Sequence, residues 1–336
     1  MEAVNALVLL GNYVIVPGLA YGSQLGLSAL GVTLIYGVLR FSNFAHGDTM
    51  AFGAMIALLV TWLLQSMEIS IAPLPTALLA LPVAIAGTAL LVLAFDYGVY
   101  RHFRRVKASP VVFVIASTGV MFVMQGLIRF IVGPNDRNLA DGSRFIVRAR
   151  DFKDAFGLNE GLAIKASQVL TLGITIVLVL WLFWFLHRTK TGKAMRAYAD
   201  NEDLARLSGI SPQTVVMLAW TLTAALATTA GVLYGLDKTF KPLIYFHLLL
   251  PTFAAAIVGG LGNPLGALAG GFIVAFSEIG ITYAYKRFLV YILPESMEPA
   301  GLVQLLSTEY KFAVSFFILV VVLLVRPTGI FAGRSA

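Results

Sequence analysis

The chain has 336 residues, 59% of them hydrophobic and only 12% charged, with a mean hydropathy of +0.86. That is too much apolar side chain for one soluble core under a polar surface, so the chain must use lipid as its solvent. The net charge of +7 gives no ground for a nucleic-acid partner, because the basic residues fall in particular loops between apolar runs. The absence of cysteine excludes disulfides and thiolate ligands without identifying a compartment.

A spanning helix needs about 20 predominantly apolar residues. Runs that meet this length are read at 13–39, 47–65, 76–99, 111–132, 168–187, 213–235, 246–262, 264–285 and 311–326. The predicted fold is an all-α integral membrane bundle of eight or nine helices with broken or re-entrant pieces. The seventh run is the weakest, since Pro251 and a glycine cluster interrupt it; eight crossings plus a re-entrant piece remain an open alternative. Glu2 stands where a cleaved signal peptide would carry a basic residue, and the first apolar run is too long for one, so the amino terminus is expected to stay on the mature protein.

In the first run Gly18, Gly22 and Gly26 recur every fourth residue behind Pro17. This spacing lets helix backbones approach closely. Between the first two runs lies a polar island, Arg40, Ser42, Asn43, His46, Gly47 and Asp48. Asn43 and Asp48 can cap helix ends, and His46 can satisfy backbone groups freed at Gly47. Because polar groups near membrane depth are costly and tend to be functional, Asn43, His46, Gly47 and Asp48 are also candidates for lining or gating a path. The four histidines, His46, His102, His187 and His247, are scattered and show no metal-ligand spacing.

Arg101, Arg104, Arg105 and Lys107 crowd the connection after the third run, and Arg188, Lys190, Lys193, Arg196 and Arg206 that after the fifth. By the positive-inside rule both face the cytoplasm. The connection at 66–75 has Glu68 and no Lys or Arg, which suits the other side. Nine crossings then put the amino terminus outside and the carboxyl terminus, with Arg326 and Arg334, inside. Residues 133–167 mix acids and bases and form a long outer loop, placed there by its neighbours.

The segment at 191–212, TGKAMRAYADNEDLARLSGISP, reads as a short capped helix at a membrane surface. Asp200 suits the N-cap with Asp203 three residues on, Gly209 the left-handed position after the last turn, and Ser211 with Pro212 the start of the next helix. Met195, Tyr198, Leu204 and Leu207 form an apolar ridge among charges. Further on, Pro251, Gly259, Gly260, Gly262, Asn263 and Pro264 interrupt the late runs, and Gly262, Gly266 and Gly270 repeat the four-residue spacing. Paired interrupted helices point to a substrate path, which adds Gly259, Gly260, Gly262 and Asn263 to its candidates. They also raise an inverted repeat of the two halves as one reading, although no residue-level alignment between the halves is visible.

Catalytic signatures are absent. Gly192-Lys193 is followed by Ala194 and has His187 where a P-loop needs its leading glycine, and no GxSxG, kinase or dinucleotide fingerprint appears. The longest polar stretch is too short to fold as a soluble domain.

Five blocks carry a resemblance: ALGVTLIYGVLRFSNFAHGDTMAFGA at 29–54, KTGKAMRAYADNEDLARLSGISP at 190–212, AGVLYG at 230–235, FAAAIVGGLGNPLGALAGG at 253–271 and VRPTGIFAG at 325–333. In this order and along nearly its whole length, the chain resembles the permease subunits of branched-chain amino acid ABC transporters, the LivH type. The resemblance implies one permease domain in a bacterial inner membrane that pairs with a second permease subunit, two cytoplasmic ATPases and a periplasmic solute-binding protein. ATP and magnesium would be used by the ATPases and no cofactor by this chain. It further implies that residues 196–210 are the coupling helix that docks on the ATPase, with Arg196, Ala197, Asp200, Asn201, Glu202, Ala205, Arg206, Gly209 and Ile210 in that contact. The loops at 133–167 and 285–311 look longer than the family's usual connections and would face the binding protein. Relatives also handle urea, short amides and aromatic carboxylates; an apolar, glycine-lined path favours a small hydrophobic amino acid. An ion-coupled transporter would need buried acids, and Glu278 is the one acidic residue well inside a run. A membrane-embedded enzyme would need a His/Asp/Glu cluster, which is missing.

Overall fold

A computed structural model describes residues 1–297, 299 and 301–331; Ala332, Gly333 and Arg334, named above, lie outside the described residues. The chain is a polytopic helical membrane protein; among the described residues 8 helices are long and apolar enough to span, and Ile244–Gly259 is a shorter apolar helix. The first spanning helix begins well before residue 13: α1 (Glu2–Leu10) and α2 (Val16–Leu39) are joined by a π-helical turn, Gly11–Ile15. Then come α3 (His46–Ser66), α4 (Ala77–Phe95), a π-turn leading into the short α5 (Arg101–Arg105), and α6 (Pro110–Val132). The outer loop carries α7 (Ala149–Phe156) between β1 (Phe145–Val147) and β2 (Ile164–Lys165), which pair antiparallel. After it follow α8 (Ala166–Arg188), α9 (Lys190–Asp200), α10 (Glu202–Leu207), α11 (Pro212–Lys238), α12 (Ile244–Gly259), α13 (Pro264–Thr282), α14 (Lys286–Val290) and α15 (Lys311–Val325).

Helix α2 is the axis of the bundle. Its residues 20–35 are all buried, as expected of a helix that is apolar all round, and α13, α11, α12 and α8 pack around it. The glycine spacing acts here as packing. A Cβ at Gly18, Gly22 or Gly26 would meet Phe276, Phe272 or Leu268 of α13, and a Cβ at Gly271 would come within 2.5 Å of the Gly26 amide. In the second stripe, Gly266 abuts the Gly259 carbonyl and Gly270 the Ala255 carbonyl, both on α12.

Contacts divide the connections between two ends. Arg40 donates to the Ala199 carbonyl at 2.5 Å, so the start of the α2–α3 connection and the α9–α10 segment share an end with the basic α5. At the opposite end Asp141 accepts from the Thr76 amide at 2.7 Å and from Gln65 at 2.8 Å, and Arg137 pairs with Phe240 through the backbone. Glu160 ties the outer loop to the 283–311 segment, taking Arg287 at 2.9 Å and the Tyr291 hydroxyl at 3.0 Å. The two extended loops thus form one continuous cap. Although α12 is too short to count among the spans by length, it runs antiparallel to α13, and its far turn stands at the basic end.

Two outcomes check this architecture. Gly271→Leu is expected to cost about 3 kcal/mol or more through overpacking and to remove monodisperse protein from detergent extracts. Gly119→Leu, at a helical site with nothing within 4 Å of the added Cβ, should behave as wild type. Partial burial alone would raise the Asp141 carboxyl, but the Thr76 and Gln65 hydrogen bonds outweigh it and hold the group below its ordinary value. Its stabilisation is therefore present above the unfolded carboxyl value and lost as pH falls through the folded one. Asp141→Ala should lower Tm at pH 7, by about 1 kcal/mol of stability, and the difference from wild type should vanish in acid.

Candidate functional site

Two groups of predicted residues occupy different parts of the bundle. The first is the α9–α10 segment. Helix α8 stops at Thr189, whose hydroxyl caps α9 by accepting the Gly192 amide at 3.0 Å. Gly192 lies against the Phe185 carbonyl and the Leu186 Cα, a closeness that only glycine permits. The segment is two helices, not one. The break falls at Asn201, with φ −152°, whose side chain accepts the Leu204 amide at 3.0 Å. Asn201 is therefore the N-cap in place of Asp200, one residue later than predicted, because Asp200 completes the last turn of α9.

The end of α10 is closed by Gly209 at φ +82°. The Gly209 amide donates to the Arg206 carbonyl and the Ile210 amide to the Ala205 carbonyl, both at 3.0 Å, a Schellman pattern. Ala205 and Ile210 pack inward while Glu202, Asp203, Leu204, Arg206 and Leu207 face out. The expected apolar ridge is split in two. Met195 and Tyr198 are buried against the bundle, whereas Leu204 and Leu207 stand 61% and 85% exposed. The kink at Asn201 turns the axis, so the apolar faces of α9 and α10 diverge. Glu202 pairs with Arg206 and bonds the Tyr198 hydroxyl; burial first, and this carboxylate second, push that phenol up to about 12.

A groove anchors the segment to the rest of the chain. Asp96, only 3% exposed at its side chain, takes both Arg104 guanidinium nitrogens at 2.5 and 2.8 Å and the Trp220 indole N–H at 2.7 Å. Tyr100 stacks on Trp220 at 5.2 Å, and Phe41 sits 5.5 Å from Tyr100. Thus one carboxylate fixes the basic α5 loop, α11 and the start of the α2–α3 connection together. Its sequence signal, an acid eight residues before an arginine at a helix end, was too common to single out. Between this anchor and α10 opens a cleft of about 670 Å³ lined by Arg40, Arg101, Arg105, Lys107, Glu202 and Asp203 among others.

The second group is the polar island. Arg40 closes α2 with φ +56°, and the chain then turns back into the bundle. The Phe44 amide donates to the Ser117 hydroxyl at 3.1 Å, seven residues into α6. His46 Nε2 lies 3.2 Å from Ser28 Oγ, which also meets Thr252 of α12 at 3.1 Å. His46 therefore joins α2, α3 and α12 through side chains and does not serve backbone groups freed at Gly47. Gly47 is a contact glycine, its Cβ position 2.5 Å from the Tyr245 carbonyl. Neither Asn43 nor Asp48 is a helix N-cap: Ala45 holds that place in α3, Asn43 accepts the Ala45 amide at 3.1 Å, and Asp48 takes Gln125 of α6 at 3.3 Å.

The late glycines stand apart from the island. Gly260 and Gly262, at φ +97° and +83°, turn the chain from α12 to α13, where Asn263 caps α13 by accepting the Gly266 amide at 3.2 Å. Gly262 and Asn263 share a cleft of about 350 Å³ with Met195, Arg196 and Ala199, so this turn adjoins the α9–α10 segment. The Ile330 amide docks on the Val258 carbonyl at 2.8 Å, strapping the described carboxyl end over it. Glu278 accepts from Ser315 of α15 and is a contact between two helices.

Comparison with known proteins adds to this geometry. Residues 14–323 match the family described as branched-chain amino acid transport system, permease component. The high-affinity branched-chain amino acid permease protein LivH of Salmonella typhimurium is 30% identical over 93% of this chain and 92% of its own length. BraD of Pseudomonas aeruginosa is 28% identical over 94% of each. Among solved structures, a chain of PsaBC from Streptococcus pneumoniae in complex with Fab aligns over 93% of this chain and 91% of its own, at 11% identity and a TM-score of 0.46.

The Asp96 anchor yields a direct test. Asp96→Ala leaves Arg104 without its partner and the Trp220 N–H without an acceptor, a loss of about 3 kcal/mol for a buried pair broken on one side. A marked fall in Tm is expected, with Asp96→Asn intermediate because its amide oxygen still accepts from Trp220.

Proposed function

Because this chain belongs to the branched-chain amino acid transport system permease family, we propose that it is one permease subunit of an ATP-binding cassette importer for branched-chain and other small hydrophobic amino acids. It works in a bacterial inner membrane, with the basic end in the cytoplasm and the capped outer loops toward the periplasm. A second permease, related or identical, completes the path; a periplasmic binding protein delivers solute to the outer cap; two cytoplasmic ATPases, using ATP and magnesium, drive the cycle.

The observation that carries this reading is α10. A six-residue helix, capped at both ends and anchored through Ala205 and Ile210, presents Leu204 and Leu207 to solvent at the basic end. An exposed apolar pair on a fixed, polar-rimmed element is the pattern of a docking anchor. Arg196, Ala197, Glu202, Arg206 and Gly209 form the rim that meets the ATPase, and Asp200 and Asn201 set the bend that aims it. Through the Arg40–Ala199 bond and the groove shared by Arg196 and Gly262, movement of α9–α10 reaches both the α2–α3 connection and the α12–α13 turn. Closure of the ATPases would then tilt these elements and switch the path from outward to inward facing.

The test is Leu204→Asp with Leu207→Asp in the complete transporter. ATP-dependent leucine uptake and ATPase copurification are expected to fall about tenfold or more, while the yield of inserted permease is unchanged, since both side chains are exposed. Full uptake with normal copurification would remove the docking assignment.

A further inference from the structure

The backbone at 41–45 is non-helical and lies at membrane depth. Ser117, which holds the Phe44 amide, is about 10 Å along α6 from Pro110 at 1.5 Å per residue, beyond the exposed apolar side chains of Val111 and Ile115. His46 reaches Ser28, twelve residues before Arg40. Irregular backbone at this depth is tolerated only against protein or a watery cavity, never against lipid. Yet Phe44 is 38% exposed, Ser42 is part-exposed, and the amide, carbonyl and hydroxyl of Ser42 find no partner among the described residues. Against this face the membrane therefore supplies protein or water and not lipid.

Beside Ser42 opens an apolar pocket of about 470 Å³ lined by Phe44, Phe246, Leu250, Phe253 and Ile257, with Leu319 of α15 behind. Phe246, Leu250, Phe253 and Ile257 form one stripe of α12, and the Phe253 ring stands 5.6 Å from Phe44. His247 also lines it, with its ring stacked on Phe312. Polar groups at one end and a mainly apolar, aromatic-walled pocket at the other match the two halves of a hydrophobic amino acid.

Resting on the importer reading above, we infer that Ser42 and this pocket form a transient solute subsite: the unpaired Ser42 groups take the ammonium and carboxylate of the amino acid, and the Phe44–Phe253 pocket takes its branched side chain. The subsite lies beside Asn43 and His46, whose own side chains are packed into the helix contacts. Those residues hold the wall, and their neighbours touch the cargo.

The chain has no cysteine, so single cysteines report cleanly. In the assembled transporter in nanodiscs, Ser42→Cys is expected to react with a charged methanethiosulfonate at least about tenfold faster than Leu90→Cys on the lipid face. Leucine should slow that reaction, and glycine should not. Phe253→Ala should reduce the preference for leucine over alanine in ATP-driven uptake about tenfold, the worth of a few methylenes in an apolar pocket. Reaction of Ser42→Cys only with a lipid-soluble maleimide, or with neither reagent, would overturn the subsite by making the face lipid-exposed or a dry contact between permeases. Aqueous reactivity indifferent to leucine, with the uptake preference of Phe253→Ala unchanged, would overturn it too while leaving the importer reading intact. Uptake that persists without ATP would sink the importer reading itself.

Discussion

Everything in this bundle depends on the close approach of the α2, α12 and α13 backbones. In lipid there is no hydrophobic drive to press one helix on another, so association rests on van der Waals contact, which grows as the axes come together. Gly22 and Gly26 accept Phe272 and Leu268, Gly271 touches the α2 backbone, and Gly259, Gly266 and Gly270 let α12 and α13 interlock. A Cβ at Gly259, Gly266, Gly270 or Gly271 would collide with neighbouring backbone, and one at Gly22 or Gly26 with the Phe272 or Leu268 side chain. Once the seam is closed, α2 is surrounded, and α11 and α8 complete its coat.

That seam fixes where the irregular pieces go. With α12 held on α13, its Thr252 meets Ser28 and, through it, His46, so the chain after Arg40 must fold back into the bundle. The aromatic group of Phe41, Tyr100 and Trp220 and the Asp96 carboxylate then hold this re-entry to the basic loop. The same end carries α9–α10, bent at Asn201, and the glycine turn between α12 and α13. The α9–α10 segment is thus joined through the Arg40–Ala199 bond to the non-helical backbone that follows Arg40.

Some of this was legible along the chain. Lipid as solvent followed from composition, the approximate spans from apolar run length, and the two ends from the placement of Arg and Lys. Gly209, Ser211 and Pro212 mark their helix ends because capping is decided within a turn of backbone. The cap at Asn201 was misjudged by one residue, since Asp200 and Asn201 are equally good caps and only the packing of Met195 and Tyr198 decides where α9 stops. The ridge of four apolar residues was misread for the same reason: spacing on one ideal helix does not survive a bend.

The sequence by itself determined the solvent, the rough limits of the apolar segments, the family and the placement of charge, because each of these is a sum over neighbouring residues or a motif in a fixed order. Tertiary structure alone decided which helices the glycine stripes touch, that His46 reaches Ser28 and not nearby backbone, that Glu278 bonds Ser315, and that Ser42 and Phe44 face an opening while Asn43 does not. Those outcomes depend on which helices meet and at what depth, between residues as far apart in the chain as Gly18 and Phe276, and no local pattern of polarity encodes that distance.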